Sequence, residues 1–470
     1  MIAKNAGRAL GLILLNLLGL ATQTQATLPP LPPTPEIQIR LPRSDRFVLD
    51  NGMVVYFMEN HDLPLLHLKA MVHTGDVYDT PEKIGLASLM AIVQRSGGTK
   101  HYAPEQLDEE LEYMAISMGT TMEEESGGLS LTSLSQHAEK AIDLFTEVLR
   151  FPVFDKGKLE IERNKTLEEI RRRNDEPRQI VRRESYRILY GPKHPYGWRP
   201  EISTINNISR EDLLQFHRTY YHPNNTLLVV AGDISKQKLV QELNRTLGDW
   251  KKTEVKLATV PPVKPETHKQ VYLFSKPINQ ASLRFIQFGL KRHDPDEFNL
   301  EVLNEILGGG FASRLFSRVR SRQGLAYSVG SRYTKPSDWG SFFVTCGTKN
   351  ESAVKAAREI FKNLDEIRQK PVAREELSYG KGSLMNSFVF NFTTPFNIAE
   401  QQANLEFYGY PSDYLETYLH HIKRVQSADL LRTAQKWIKP ESMAIVVVGN
   451  PKKFDQPLTT LGPVKEMPLD

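Results

Sequence analysis

The 470-residue sequence has a single cysteine, Cys346, which excludes an intrachain disulfide framework and any thiolate zinc cage. Cys346 ends the run Phe342-Phe343-Val344-Thr345-Cys346, so it reads as a small buried hydrophobe rather than a nucleophile. The H-E-x-x-H helix, the G-x-S-x-G nucleophile elbow and the Walker A lysine loop are all missing. Gly308-Gly309-Gly310 is not followed by Gly-Lys-Ser/Thr and reads as the flexible end of a helix Glu301–Leu307. No histidine has a zinc-binding partner at i+4. His217 and His222 are explained by a turn before Pro223, and His420 and His421 are adjacent, hence on different helix faces. No charge dominates: 60 Lys and Arg stand against 56 Asp and Glu, a net +4, so no nucleic-acid partner is expected.

Long apolar runs are equally scarce. Ala9 to Ala21, interrupted only by Asn16, is too short for a bilayer core of roughly 30 Å. Lys4 and Arg8 precede it and Thr24-Gln25-Ala26 follow it, the pattern of a cleaved secretory signal over 1–26. The expectation is an exported chain, periplasmic or extracellular, with no stable membrane insertion.

What remains has ordinary globular composition, 40% hydrophobic and 25% charged. A proline-rich spacer covers 27–44, and a second proline-containing, lysine-rich segment at 251–270 reads as a linker. The halves it separates repeat. At a shift of 217 residues, Asp212-Leu213-Leu214, Pro223, Val229-Val230 and Gly232 fall on Asp429-Leu430-Leu431, Pro440, Val446-Val447 and Gly449. That is seven identities in 21 ungapped positions, where composition gives about one or two by chance. The shared unit is a helix, a turn at proline, and a buried strand (Leu227–Gly232 and Ala444–Gly449). Strands at 47–49, 53–58, 66–72 and 128–134 are grouped apart from helices at 84–94, 138–149 and 155–174. This grouping predicts an α+β fold of two homologous tandem domains, 45–250 and 271–455, each a mainly antiparallel sheet covered by helices, with a tail at 456–470.

The chain resembles the insulinase/pitrilysin (inverzincin) zinc peptidases, in their bacterial, processing-peptidase-like branch. The resemblance is carried by the two-half layout, Gly85-Leu86-Ala87, Leu167-Glu168-Glu169-Ile170 and Tyr221-His222-Pro223-Asn224-Asn225. Above all it is carried by Ser313-Arg314-Leu315-Phe316 with Gly324-Leu325-Ala326-Tyr327-Ser328. In that family Gly-Leu-Ala leads into H-x-x-E-H, whose i, i+3, i+4 spacing puts two zinc ligands and a general base on one helix face. Those positions here are Ser88, Ala91 and Ile92; only the distal glutamate of the family survives, as Glu169. A hydroxyl, two hydrocarbon side chains and one carboxylate make no catalytic zinc site, so no metal, cofactor or catalytic residue is expected in this chain. With Arg173 four residues on, Glu169 is expected in a helix-surface ion pair.

The resemblance assigns the opposite status to the second half. Arg320 and Tyr327, seven residues apart, match the family's substrate-holding pair. A guanidinium fork and a phenol suit a peptide carbonyl or a developing oxyanion. One half of the active-site chemistry is therefore missing and the other present. This implies the non-catalytic, peptide-binding subunit of a heteromeric exported metallopeptidase, with zinc in a homologous partner. The alternative is a scaffold homologue without proteolytic role.

Overall fold

A computed structural model describes residues 41–469; the expected signal, 1–26, and spacer residues 27–40 lie outside them. Strands β1 (Asp45–Val48), β2 (Val54–Glu59), β3 (Leu65–Val72), β4 (Ser117–Met122), β5 (Gly127–Leu134) and β6 (Thr226–Gly232) form one sheet, ordered β1-β2-β6-β3-β5-β4. A second sheet comprises β7 (Gln270–Ser275), β8 (Gln280–Phe288), β9 (Ser328–Tyr333), β10 (Ser341–Lys349), β11 (Ala444–Gly449) and β12 (Val464–Met467). Its order, β12-β7-β11-β8-β10-β9, is that of the first. Most neighbours are antiparallel, while β2–β6, β7–β11 and β12–β7 run parallel.

The repeated residues have local reasons. Asp212 in helix Arg210–Tyr220 closes a capping box, accepting from the Ser209 amide at 2.8 Å, and Asp429 does the same for Gln426 at 3.0 Å. Pro223 and Pro440 each open a short turn ahead of the central strand. Gly232 adopts φ +137° with no room beside it, since a Cβ would lie 2.0 Å from the Leu65 carbonyl oxygen.

Both central strands, β6 and β11, are buried along their whole length. In the first half, helices Leu86–Ser96, Ala138–Arg150 and Lys236–Leu247 join Phe57, Leu66 and Leu68 in the main core. The opposite sheet face is covered by the other half. Helix Pro395–Phe407 lays Ala399, Ala403 and Phe407 on Tyr56, Met71, Leu227 and Val229. Helix Pro177–Tyr190 returns the contact, placing Ile180 and Val181 on Phe274, Val446 and Val448, and Leu189 on Ile286 and Phe288. The two helices occupy equivalent places in the repeat and are exchanged between halves. Fully burying one such Ile, Val or Phe contributes about 1.5–3 kcal/mol, so the exchange binds the halves strongly. Polar contacts fix its register: Arg46 on β1 donates twice to Glu406, at 2.6 and 2.7 Å, and the Tyr56 hydroxyl donates to the same carboxylate at 2.7 Å.

Several expectations change. Within the expected tail, residues 464–467 form strand β12 paired with β7, and both Met467 and Leu469 pack beside helix Pro177–Tyr190. That exchanged helix was not foreseen. The helix expected at Glu301–Leu307 begins earlier, at Glu297, and its glycine end is a π-turn, Glu305–Gly309. Cys346 is buried, and burial pushes its thiol up to about 12, so it stays protonated and inert. Among the described residues no helix is long and apolar enough to cross a membrane.

The linker is exposed over 256–259, which gives a direct test. A protease site placed there and cut should leave two fragments that co-elute in size-exclusion chromatography without denaturant. Separation of the halves would contradict a fold closed by exchanged helices.

Candidate functional site

The helix Leu86–Ser96 carries the family's metal-ligand positions without its ligands. The Ser88 hydroxyl donates to Asp76 Oδ1 at 3.0 Å. Ala91 is 3% exposed and its carbonyl accepts from Thr120 Oγ1 at 2.7 Å, while Ile92 is 43% exposed and turned away from the core. Glu169 is exposed, and the expected pair with Arg173 does not form. Arg173 instead donates to Glu201 at 2.8 Å and to the Pro200 carbonyl at 3.2 Å, because the chain after helix Lys156–Arg172 brings those acceptors closer. His217 and His222 are spent on the Leu149 and Arg218 carbonyls, at 2.9 and 2.8 Å. Ser88, Ala91, Ile92 and Glu169 offer one hydroxyl and one carboxylate, a donor set that does not fit a catalytic zinc ion.

A cavity of about 320 Å³ opens over Ser88, walled by Asp76, Asp79, Arg182, Tyr186 and Trp198. Asp79 caps the helix, accepting from the Gly85 amide at 2.7 Å and the Ala87 amide at 2.9 Å. Burial pushes Asp76 up to about 6. Burial, with Asp76 beside it, pushes Asp79 up to about 8 despite those amide donors. A neighbouring cavity of about 360 Å³ shares Glu124, Tyr186 and Tyr196 and is lined from both halves. Its hub is Glu125, at the β4–β5 turn. It accepts from the Tyr196 hydroxyl and the Ser337 hydroxyl, from the Ser337 amide at 2.9 Å and from Arg292 at 2.8 Å. Burial would raise Glu125, but those donors outweigh it and hold the carboxyl below its ordinary value. Nothing in the run Glu123-Glu124-Glu125 marked this role, since its partners come from distant segments.

The second half presents its residues differently. Arg320 lies in the π-helical turn Phe316–Arg322, and the loop after it folds straight back. The Gly324 amide donates to the Arg320 carbonyl at 3.0 Å and the Leu325 amide to Val319 at 2.9 Å, with Gly324 at φ +61°. Leu325 and Ala326 are buried as anchors, and the Tyr327 amide docks on the Gly347 carbonyl at 2.8 Å. Arg320 and Tyr327 thus sit on one pinned loop, both exposed, Tyr327 by 44%. Nearby, Arg178 of the exchanged helix donates to Ser328 Oγ at 3.3 Å. Two of the neighbouring arginines are already committed: Arg314 forms a two-bond pair with Glu376 at 2.8 and 2.7 Å, and Arg318 pairs with Glu366, whereas exposed Arg322 has no carboxylate partner among the described residues. Arg320 has no carboxylate partner among the described residues; its guanidinium rests 4.7 Å from the Phe316 ring centroid.

Comparison with known proteins places both halves in one family. A family model described as insulinase, peptidase family M16, matches residues 59–194, and one described as peptidase M16 inactive domain matches 207–384. The chain belongs to the insulinase (M16) family. It is 26% identical over 349 residues to the "uncharacterized zinc protease YmxG" of Bacillus subtilis, spanning 74% of this chain and 84% of that protein. It is 24% identical over 406 residues to the "non-peptidase homolog YmxG" of Helicobacter pylori, spanning 85% of this chain and 92% of that protein. A crystal structure of a peptidase M16 inactive domain from Pseudomonas fluorescens superposes with a TM-score of 0.80 at 25% identity, covering 88% of this chain and 99% of that one. The two-domain α+β fold is that of this structure, and the second half of the chain matches the M16 inactive-domain model.

The two buried aspartates give the fold a pH signature. An acid raised in the folded state contributes stability that is full below its unfolded value, near 3.8, and is lost as pH rises through the folded value. For Asp76 that window runs from about 4 to about 6. Asp76→Asn should therefore raise the melting temperature by a few degrees at pH 7.5 and leave it unchanged near pH 3.5. Calorimetry at both pH values checks this; an equal gain at both would reject the buried-charge cause.

Proposed function

We propose that this chain is the substrate-holding, non-catalytic subunit of an exported heteromeric M16 metallopeptidase. Its partner is a homologous chain with an intact zinc site, and the substrate is a peptide. The observation that carries this reading is the contrast within one segment. Arg314 and Arg318 are neutralised by Glu376 and Glu366, while Arg320, like Arg322, has no carboxylate partner among the described residues and shares one pinned loop with the exposed phenol of Tyr327. A scaffold needs neither donor free. The N-terminal basic start and short apolar run support export.

In this reading the Arg320 guanidinium supplies two parallel N–H donors to a peptide carbonyl, and the Tyr327 hydroxyl adds a third. Both would stay within reach of that oxygen if it gained negative charge, the hydrolytic chemistry being supplied by a metal in the partner. The pinned loop holds the donors in place before substrate arrives, so little reorganisation is needed during reaction. Ser88, Ala91, Ile92 and Glu169 take no part, and this chain carries no zinc of its own.

Arg320→Ala and Tyr327→Phe should each lower turnover of peptide by the assembled complex about 10²–10³-fold, without changing assembly or the partner's zinc content. Arg320→Lys should restore little, because an ammonium lacks the planar fork. Arg322→Ala is the control, since Arg318 already serves the Glu366 ion pair. Elemental analysis of the chain alone should find no stoichiometric zinc. If Arg320→Ala and Arg322→Ala both match wild type, the chain is a scaffold instead.

A further inference from the structure

Under the exchanged helix Pro177–Tyr190 the second sheet buries a charge that the fold leaves without a counter-ion. Arg284, on the inner strand β8, is 5% exposed, and its Nε has no hydrogen-bond partner. Its guanidinium lies against two rings, 3.7 Å from the Phe343 centroid and 4.9 Å from that of Tyr186. Burial pulls it below its ordinary value; Tyr186 offsets part of that, and the charge of Arg182 adds to it. A buried cation is expensive unless an opposite charge meets it. No carboxylate pairs with Arg284 among the described residues.

Its surroundings are built from donors. On the sheet, Ser328, Gly347 and Ser282 are ladder partners in one row and Thr345 and Arg284 in the next, on the face that meets the helix. Gly347 leaves a notch in that row, where a Cβ would stand 2.9 Å from Ser328 Oγ and 3.5 Å from Arg178 Nη2. The helix contributes Arg178 and Arg182, four residues apart and so on one side, a like-charge pairing that weakens a helix taken alone. Arg178 donates to Ser328 Oγ at 3.3 Å, and neither arginine has a carboxylate partner among the described residues. Arg182 and Tyr186 also wall the cavity of about 320 Å³, and Asp76, Asp79 and Glu124 across it make no ion pair with Arg182.

We infer that Arg178, Arg182 and Arg284, with the hydroxyls of Ser282, Ser328 and Thr345, form a binding site for a compact oxyanion, a phosphate or a carboxylate. Planar guanidinium forks match the paired oxygens of such a group, and hydroxyls take its remaining lone pairs. The site goes beyond the substrate-holding reading and does not rest on it. Ser328 directly follows Tyr327, so free phosphate and the carboxylate of a held peptide both suit its place.

The test uses the chain alone. Millimolar inorganic phosphate should raise its melting temperature by several degrees, which sodium chloride of equal ionic strength should not do. Isothermal titration calorimetry against phosphate, and against one short peptide ending in a free carboxylate or in an amide, separates the sources. Whichever of phosphate and the acid peptide binds more tightly names the source, and either response supports the site. Arg178→Ala combined with Arg182→Ala, at exposed side chains, should weaken binding about tenfold or more. Arg284→Met, an apolar chain in place of the buried charge, should abolish it; should that variant fail to fold, the double variant decides. Arg171→Ala, on another helix, should bind as wild type does. No binding of either probe by wild type, or undiminished binding by the double variant, overturns the site. Peptide turnover by an assembled complex does not enter this experiment, so its failure leaves the reading of Arg320 and Tyr327 as it stands.

Discussion

The constraint on which the structure depends is that neither sheet can cover its own second face. Tyr56, Met71, Leu227 and Val229 are closed by a helix from beyond residue 394, and Phe274, Val446 and Val448 by one from before residue 191. Because burial of these faces is reciprocal, the halves cannot drift apart without opening both at once. The cavities between them, and the Glu125 hub that spans them, inherit their rigidity from that exchange. Position of the second-half loop relative to first-half residues such as Arg178 follows from the same source.

Within that frame the two halves have kept opposite parts of one chemistry. The first-half helix retains its Gly-Leu-Ala entry and its cap on Asp79, which serve folding, while Ser88, Ala91 and Ile92 replace the groups that would serve hydrolysis. The second half has a loop whose backbone is tied at Arg320, Leu325 and Tyr327, with the Arg320 guanidinium on the Phe316 ring and the Tyr327 side chain exposed. This contrast between the halves is what the proposed division of labour between two homologous chains rests on.

How much of this was legible in the sequence differs element by element. β6 and β11 could be read as continuous apolar runs, because a central strand covered on both faces has no polar side to show. Arg320 and Tyr327 could be found from their spacing and the motif around them. Helix Pro177–Tyr190 escaped, since its apolar residues Ile180, Val181 and Leu189 sit among four arginines and their partner sheet begins about 80 residues later. β12 escaped because an edge strand of four residues, Val464-Lys465-Glu466-Met467, is half solvated and looks like tail. Arg173 shows the limit of spacing rules: i, i+4 brought Glu169 within reach, but the folded chain offered Glu201 with better geometry.

The exchange also sets a timetable for synthesis. The first sheet lacks its cover until residues 395–407 have been made, and the second sheet lacks its outermost strand until 464–467. A nascent chain therefore carries an open apolar face on the first sheet from the completion of β6 at residue 232 until residue 407 has been made. Final closure belongs to the finished polypeptide. Until helix Pro395–Phe407 arrives, Leu227 and Val229, which it covers in the folded chain, stay open to water.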